Sequence, residues 1–83
     1  MTKNKYMTLR IGDAVRVTHP GPNKGKVGVV ERKLENGRVL VRSVGRDMFD
    51  EADFVFMDWT MTTEKYFHFN VIKIIEKWSD ELV

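Results

Sequence analysis

The sequence predicts a mainly β domain, a small barrel of about five antiparallel strands, and three observations predict it. Apolar residues in the first half recur at period two and are mostly β-branched. Clusters of Gly, Pro and Asn interrupt them at short intervals. Asn36-Gly37 then sits between two valine-bearing runs, the strongest short-range hairpin signal. An 83-residue chain makes one domain and buries only about 60 to 65% of its unfolded surface, which leaves little room for a deep cleft. The expected organisation is a flexible tail over residues 1–8 and a single domain over 9–83.

Each element follows from its residues. In "IGDAVRVTH" the alternation puts Ile11, Asp13, Val15 and Val17 on one side and Arg16 and Thr18 on the other, a half-buried strand. "HPGPN" ends it, because Pro20 and Pro22 donate no hydrogen bond to a ladder. "KVGVVERKL" is the second strand, with Gly28 marking a bulge or a close backbone crossing. A type I′ turn at Asn36-Gly37 then leads into "RVLVRSV", making strands two and three antiparallel neighbours. "GRDMFDEAD" reads as an acidic surface loop, "FVFMDW" as a fourth strand, "TMTTE" as a turn and "KYFHF" as a fifth strand.

The tail "NVIKIIEKWSDELV" admits two readings. As a helix it has Asn70 at the N-cap and Val71, Ile74, Ile75, Trp78 and Leu82 on one stripe. As a strand it has the β-branched run "VIKII". The reading adopted is a short strand or turn over residues 71–75 with a short C-terminal helix beyond. Closure of the five strands into a barrel is expected because an open sheet leaves two edges unpaired. An OB-like barrel is the alternative, although such barrels usually need more residues.

Charge is segregated along the chain. Residues 1–46 carry eleven Lys and Arg against three Asp and Glu, a formal +8, and residues 47–83 carry three against nine, a formal −6. A polyanion is drawn to the first half and repelled by the second. The competing explanation is attraction between the halves, within the fold or between copies. There is no cysteine, which removes disulfides, thiolate nucleophiles and Cys-based zinc sites. The first ten residues have no apolar signal core, and no apolar run approaches the roughly 20 residues that span a bilayer. The expectation is a soluble, cytoplasmic protein with no membrane partner.

The stretch "GPNKGKVGVV" concentrates the binding chemistry. Gly25 and Gly28 allow a sharp bend and a close approach, and Lys24 and Lys26 flank the bend with ammonium groups that position phosphates without reading bases. Arg16, Arg32, Arg38 and Arg42 fall on strands, and Arg38 and Arg42 share a polar face four residues apart. His19 stands at the loop mouth, where it could stack on a base or a peptide. His68 lies between Phe67 and Phe69, pointing away from the face they share.

At least five of Phe49, Phe54, Phe56, Trp59, Tyr66, Phe67, Phe69 and Trp78 are assigned to the core. Trp59 and Tyr66, which flank "TMTTE", are the pair expected to stay partly exposed as an aromatic groove for a peptide. "DMFDEAD" gathers four carboxylates but lacks the order of a calcium loop. No nucleophile elbow, Walker loop or His-Glu-x-x-His occurs, so no catalytic residues, metal site or cofactor are expected.

Residues 11–41, "IGDAVRVTHPGPNKGKVGVVERKLENGRVLV", resemble the KOW motif. Gly12, Asp13, Val15 and Val17 match its Gly-Asp-x-Val-x-Val strand, and Lys24, Gly25, Gly28 and Val30 match its Lys-Gly-x-x-Gly-x-Val segment. The resemblance implies an SH3-like barrel that contacts RNA or the transcription and translation machinery, as in large-subunit ribosomal proteins and NusG-type elongation factors. The expected function is a noncatalytic module that binds RNA, or a ribosome or RNA polymerase complex, through Arg16, His19, Lys24, Lys26, Arg42 and Arg46. The alternative is a protein-interaction adaptor or accessory subunit that uses Trp59, Tyr66 and the acidic loop.

Overall fold

A computed structural model describes residues 1–45, 47–52 and 61–75. Strands β1 (Ala14–Val17), β2 (Val27–Lys33), β3 (Arg38–Ser43), β6 (Glu64–His68) and β7 (Ile72–Ile74) form one antiparallel sheet in the order β6-β3-β2-β1-β7. Two short strands, β4 (Phe49–Asp50) and β5 (Met61–Thr62), pair separately. The mainly β class and the five antiparallel strands are as expected. The sheet does not close into a barrel: β6 and β7 are its two edges, joined by one 3₁₀ turn at Phe69–Val71. Five and three residues long, these edges are short templates for unwanted pairing.

One face of the sheet carries the core. Val15 and Val17 of β1, Val30 of β2, Val39 and Val41 of β3, Phe67 of β6 and Ile72 of β7 are buried there with Leu9 and Phe49. The alternation that buries Val39 and Val41 leaves Arg38 and Arg42 on the opposite, exposed face. Of the aromatics, Phe49 and Phe67 meet edge to face at 5.0 Å in the core, while Phe69 is half-buried and Tyr66 exposed. Phe54, Phe56, Trp59 and Trp78 lie outside the described residues.

Two backbone devices set the geometry of β2 and β3. A Cβ on Gly28 would lie 2.5 Å from the Arg42 carbonyl oxygen and 2.5 Å from Val41 Cγ1, so the close crossing requires glycine. The bulge falls three residues later, with Glu31 inserted between the Val30–Val41 and Arg32–Leu40 pairs. The hairpin also differs in type from the expected I′ turn. Among the described residues no non-glycine has positive φ, and only Gly37 of the dipeptide does, at 86°. Gly37 N–H donates to Leu34 O and Leu34 N–H to Arg38 O, so a turn through Glu35 and Asn36 ends in a left-handed glycine. Asn36 Oδ1 accepts from Arg38 N–H and supports this longer loop.

Residues 1–8, expected as a flexible tail, instead carry a helix, α1 (Lys3–Thr8). It is too short to stand alone. Tertiary contacts hold it: the Tyr6 ring stacks on Phe69 at 5.0 Å, its hydroxyl donates to Leu34 O, and Lys33 Nζ donates to Tyr6 O and Leu9 O at the helix end. Ile11 is not on the core side with Val15 and Val17 but 69% exposed. The Asp13 carboxylate accepts from Arg10 N–H, and with Gly12 at φ 97° residues 10–13 turn away before β1 begins.

The stretch read as an acidic surface loop contains β4, with Phe49 in the core and Asp50 buried. Residues 72–74 are strand, as adopted for this stretch, while the "FVFMDW" strand and the C-terminal helix fall on residues outside those described. Among the described residues no helix is long and apolar enough to cross a membrane.

Candidate nucleic-acid interface

The loop between β1 and β2 is fastened at both ends. Val17 N–H donates to Lys26 O, and Gly25 N–H, at φ 86°, donates back to Val17 O. At its centre Asn23 is buried, and its side chain clamps β4: Nδ2 donates to Asp50 O at 2.9 Å and Oδ1 accepts from Asp50 N–H at 2.7 Å. A buried amide satisfied on both sides behaves as an extra rung of sheet. Lys26 Nζ donates to Met48 O at 2.7 Å, adding a second tie to the same segment.

Those ties shape a hollow of about 320 Å³ between the loop, the start of β3, β6 and the 3₁₀ turn. Val17, Phe67 and Val71 make an apolar floor, and Pro20 and Pro22 stiffen one wall. His19 belongs to that wall, and Arg38, Tyr66 and His68 complete the lining from β3 and β6. Arg38 and His68 are cross-strand partners, and Tyr66 is two residues from His68 on the same face. Among the described residues no Asp or Glu lines the hollow. His68 Nδ1 accepts from Asn70 N–H, which assigns the free N–H of a neutral ring to Nε2. Phe69 leaves the strand for the 3₁₀ turn, so its ring meets His68 at 4.5 Å instead of sharing a face with Phe67.

The predicted basic residues separate into distinct positions. His19 and Tyr66, assigned from sequence to different partners, line one groove. Lys24 is exposed on the same loop but does not line it, and Lys26 is tied to Met48. Arg16 is on β1 opposite Lys73 of β7, away from the groove lining. Arg42 is paired with Glu31, Nε to Oε1 at 3.3 Å, and faces Glu64 across β3 and β6. A hydrogen bond with the Glu31 carboxylate, with like-charge repulsion from it, holds the Glu64 pKa above its ordinary value although Arg42 pulls the other way. This end of the sheet is neutralised, so the continuous basic face expected from Arg38 to Arg42 stops halfway. Arg46 and Trp59 lie outside the described residues.

Arg38, His68 and Asn23 are the groove residues with polar side chains that are absent from the predicted site. Arg38 was legible as the residue that follows the hairpin glycine, on the strand face opposite the valines. Asn23 carried no signal, since its partner is the backbone of a strand 27 positions later. Among the described residues no three His, Asp or Glu side chains group as metal ligands would. Comparison of the chain with family models, curated proteins and solved structures finds no match.

Proposed function

We propose that the protein is a noncatalytic binding module for single-stranded RNA, and that the groove between His19, Arg38, Tyr66 and His68 is where the strand docks. One observation carries the reading: a guanidinium, two imidazoles and a phenol ring converge on an apolar-floored hollow that none of the seven Asp and Glu among the described residues lines. Tyr66, 40% exposed, offers a ring face for a base, a contact worth about 1 to 3 kcal/mol in proteins of this kind. Arg38 offers a guanidinium fork for the adjoining phosphate. The neutral His68 ring has a donor at Nε2, and His19 provides a second imidazole on the opposite wall. Lys24, exposed on the loop, adds positive field without a fixed contact. The KOW-like stretch agrees with this reading.

Fluorescence anisotropy with a labelled single-stranded RNA at low and moderate salt tests it. Binding falls steeply as salt rises, because neutralised phosphates release counterions, and Tyr66→Ala weakens it. No binding at low salt overturns the reading. The competing reading, a peptide in the same groove, rests on the floor of Val17, Phe67 and Val71. Retention of one protein partner after nuclease treatment, with no RNA affinity, would favour it.

A further inference from the structure

The turn between β2 and β3 places a reactive dipeptide beside the groove. The chain has no glutamine, and of its asparagines Asn4, Asn23, Asn36 and Asn70 only Asn36 precedes a glycine. An asparagine side chain is open to attack at Cγ by the amide nitrogen of the next residue, and a glycine there has no side chain to obstruct the approach. Asn36 is exposed to water. Its Oδ1 accepts from Arg38 N–H at 3.1 Å, which draws electron density from Cγ and anchors the side-chain amide to its own turn. The attacking group is loosely held: Gly37 N–H reaches Leu34 O only at 3.4 Å, against 2.8 Å for the Leu34 to Arg38 bond that closes the same loop.

Gly37 is packed against residues that shape the groove. It is buried, a Cβ on it would lie 3.0 Å from His68 Nε2 and 3.1 Å from Phe69 Cδ1, and its carbonyl accepts from Phe69 N–H at 3.0 Å. The next residue, Arg38, lines the hollow and is the cross-strand partner of His68.

We infer that Asn36 is a site of spontaneous deamidation, and that its product loosens the Arg38–His68 end of the groove. Gly37 N gives up its proton and attacks Asn36 Cγ. The Cγ–Nδ2 bond breaks, the side-chain nitrogen leaves with that proton as ammonia, and a cyclic imide joins the two residues. Water then opens the imide, with no oxidant or reductant. Addition at Cγ yields aspartate; addition at the Asn36 main-chain carbonyl carbon yields isoaspartate, in which the chain runs through the former side chain. Either product puts a carboxylate in place of a neutral amide, two residues before Arg38. Isoaspartate also lengthens the backbone by a methylene just before Gly37, where the His68 and Phe69 rings crowd close. The consequence for binding rests on the RNA reading above; the covalent chemistry does not.

The test ages the full chain in warm, mildly alkaline buffer and follows it by peptide mapping with mass spectrometry, an enzymatic isoaspartate assay and amide chemical shifts. The mass gain of an amide-to-acid exchange is expected at Asn36 ahead of Asn4, Asn23 and Asn70, faster as pH rises because the attacking nitrogen must lose a proton. The amides of Arg38, His68 and Phe69 should move in the aged protein. Asn36→Ser, whose hydroxyl can accept from Arg38 N–H in the same way, should keep its spectrum and its RNA affinity on ageing. Asn36→Asp supplies the carboxylate with the backbone unaltered and should bind a labelled single-stranded RNA a few-fold more weakly than the fresh wild type, a loss that shrinks as salt rises. Aged wild type, carrying isoaspartate, should bind more weakly still.

An Asn36 that stays intact, or a converted protein whose Arg38, His68 and Phe69 amides do not move, overturns the inference. Equal RNA affinity of fresh and converted protein overturns the effect on the groove. Conversion with those shifts, in a protein that binds no RNA when fresh, upholds the modification and removes the RNA reading instead.

Discussion

Arg38 and Arg42 stand four residues apart on one face of β3, and the sheet gives them opposite surroundings. At the Arg42 end, the bulge at Glu31 and the cross-strand Glu64 bring two carboxylates beside one guanidinium. At the Arg38 end, the neighbours are His68 on the adjacent strand and the proline-stiffened loop, and among the described residues no carboxylate lines the hollow. One strand can thus carry a self-neutralised arginine at one end and, at the other, an arginine that no carboxylate among the described residues pairs with across the sheet. Positive charge along a sequence marks a binding face only after the cross-strand partners are subtracted.

The sharpest way to break the Arg38 end is to remove what supports it from behind. Phe49 packs edge to face on Phe67, whose strand presents Tyr66 and His68. Phe49→Ala is expected to destabilise the fold by about 3 to 5 kcal/mol in urea unfolding. Asn23→Ala leaves the Asp50 amide and carbonyl without their side-chain partners, at about 1 to 3 kcal/mol for an unsatisfied buried group. It should also weaken RNA binding, because it frees the loop that carries His19. An Asn23→Ala protein of wild-type stability would show that the clamp does not hold the loop.

Tyr66→Ala sharpens the comparison without touching the core. RNA affinity should fall by about 1 to 3 kcal/mol while the unfolding midpoint is unchanged. An equal loss in both would mean that Tyr66 is structural.

The smallest effect belongs to the Arg42 end. Because the Glu64 pKa is raised, the folded protein holds this proton more tightly than the unfolded chain does. The stability linked to the group is complete below its ordinary value of 4.5 and is lost as pH rises through the folded value. Glu64→Gln should therefore melt slightly above the wild type at pH 7, and the difference should vanish below about pH 4. A variant that melts lower at pH 7 would show that Arg42 attraction outweighs Glu31 repulsion.

What was legible in the sequence, and what was not, follows from the range of the interactions. Period-two valines placed β1, β2 and β3, and the Asn36-Gly37 dipeptide placed the hairpin, because both signals are local. The turn type was misjudged because Leu34 and Arg38 close a longer loop than the dipeptide alone suggests. Gly28 announced a close crossing, and its missing Cβ is what lets Arg42 approach. The helix over Lys3–Thr8 escaped notice because Phe69, Leu34 and Lys33 hold it, not its own residues. The fate of each cation was likewise non-local. Lys26 is committed to Met48, Lys33 to α1 and Arg42 to Glu31. No count of charges along the chain distinguishes these from Arg38.

The most direct measurement is a pair of salt titrations of RNA binding, for Arg38→Gln and for Arg42→Gln, against the wild type. Arg38→Gln should reduce the slope of log K against log salt by about 0.7, the signature of one lost single-strand phosphate contact. Arg42→Gln should leave that slope where it was. Equal changes in the two slopes, or a larger one for Arg42→Gln, would contradict the division of the sheet face on which the account rests.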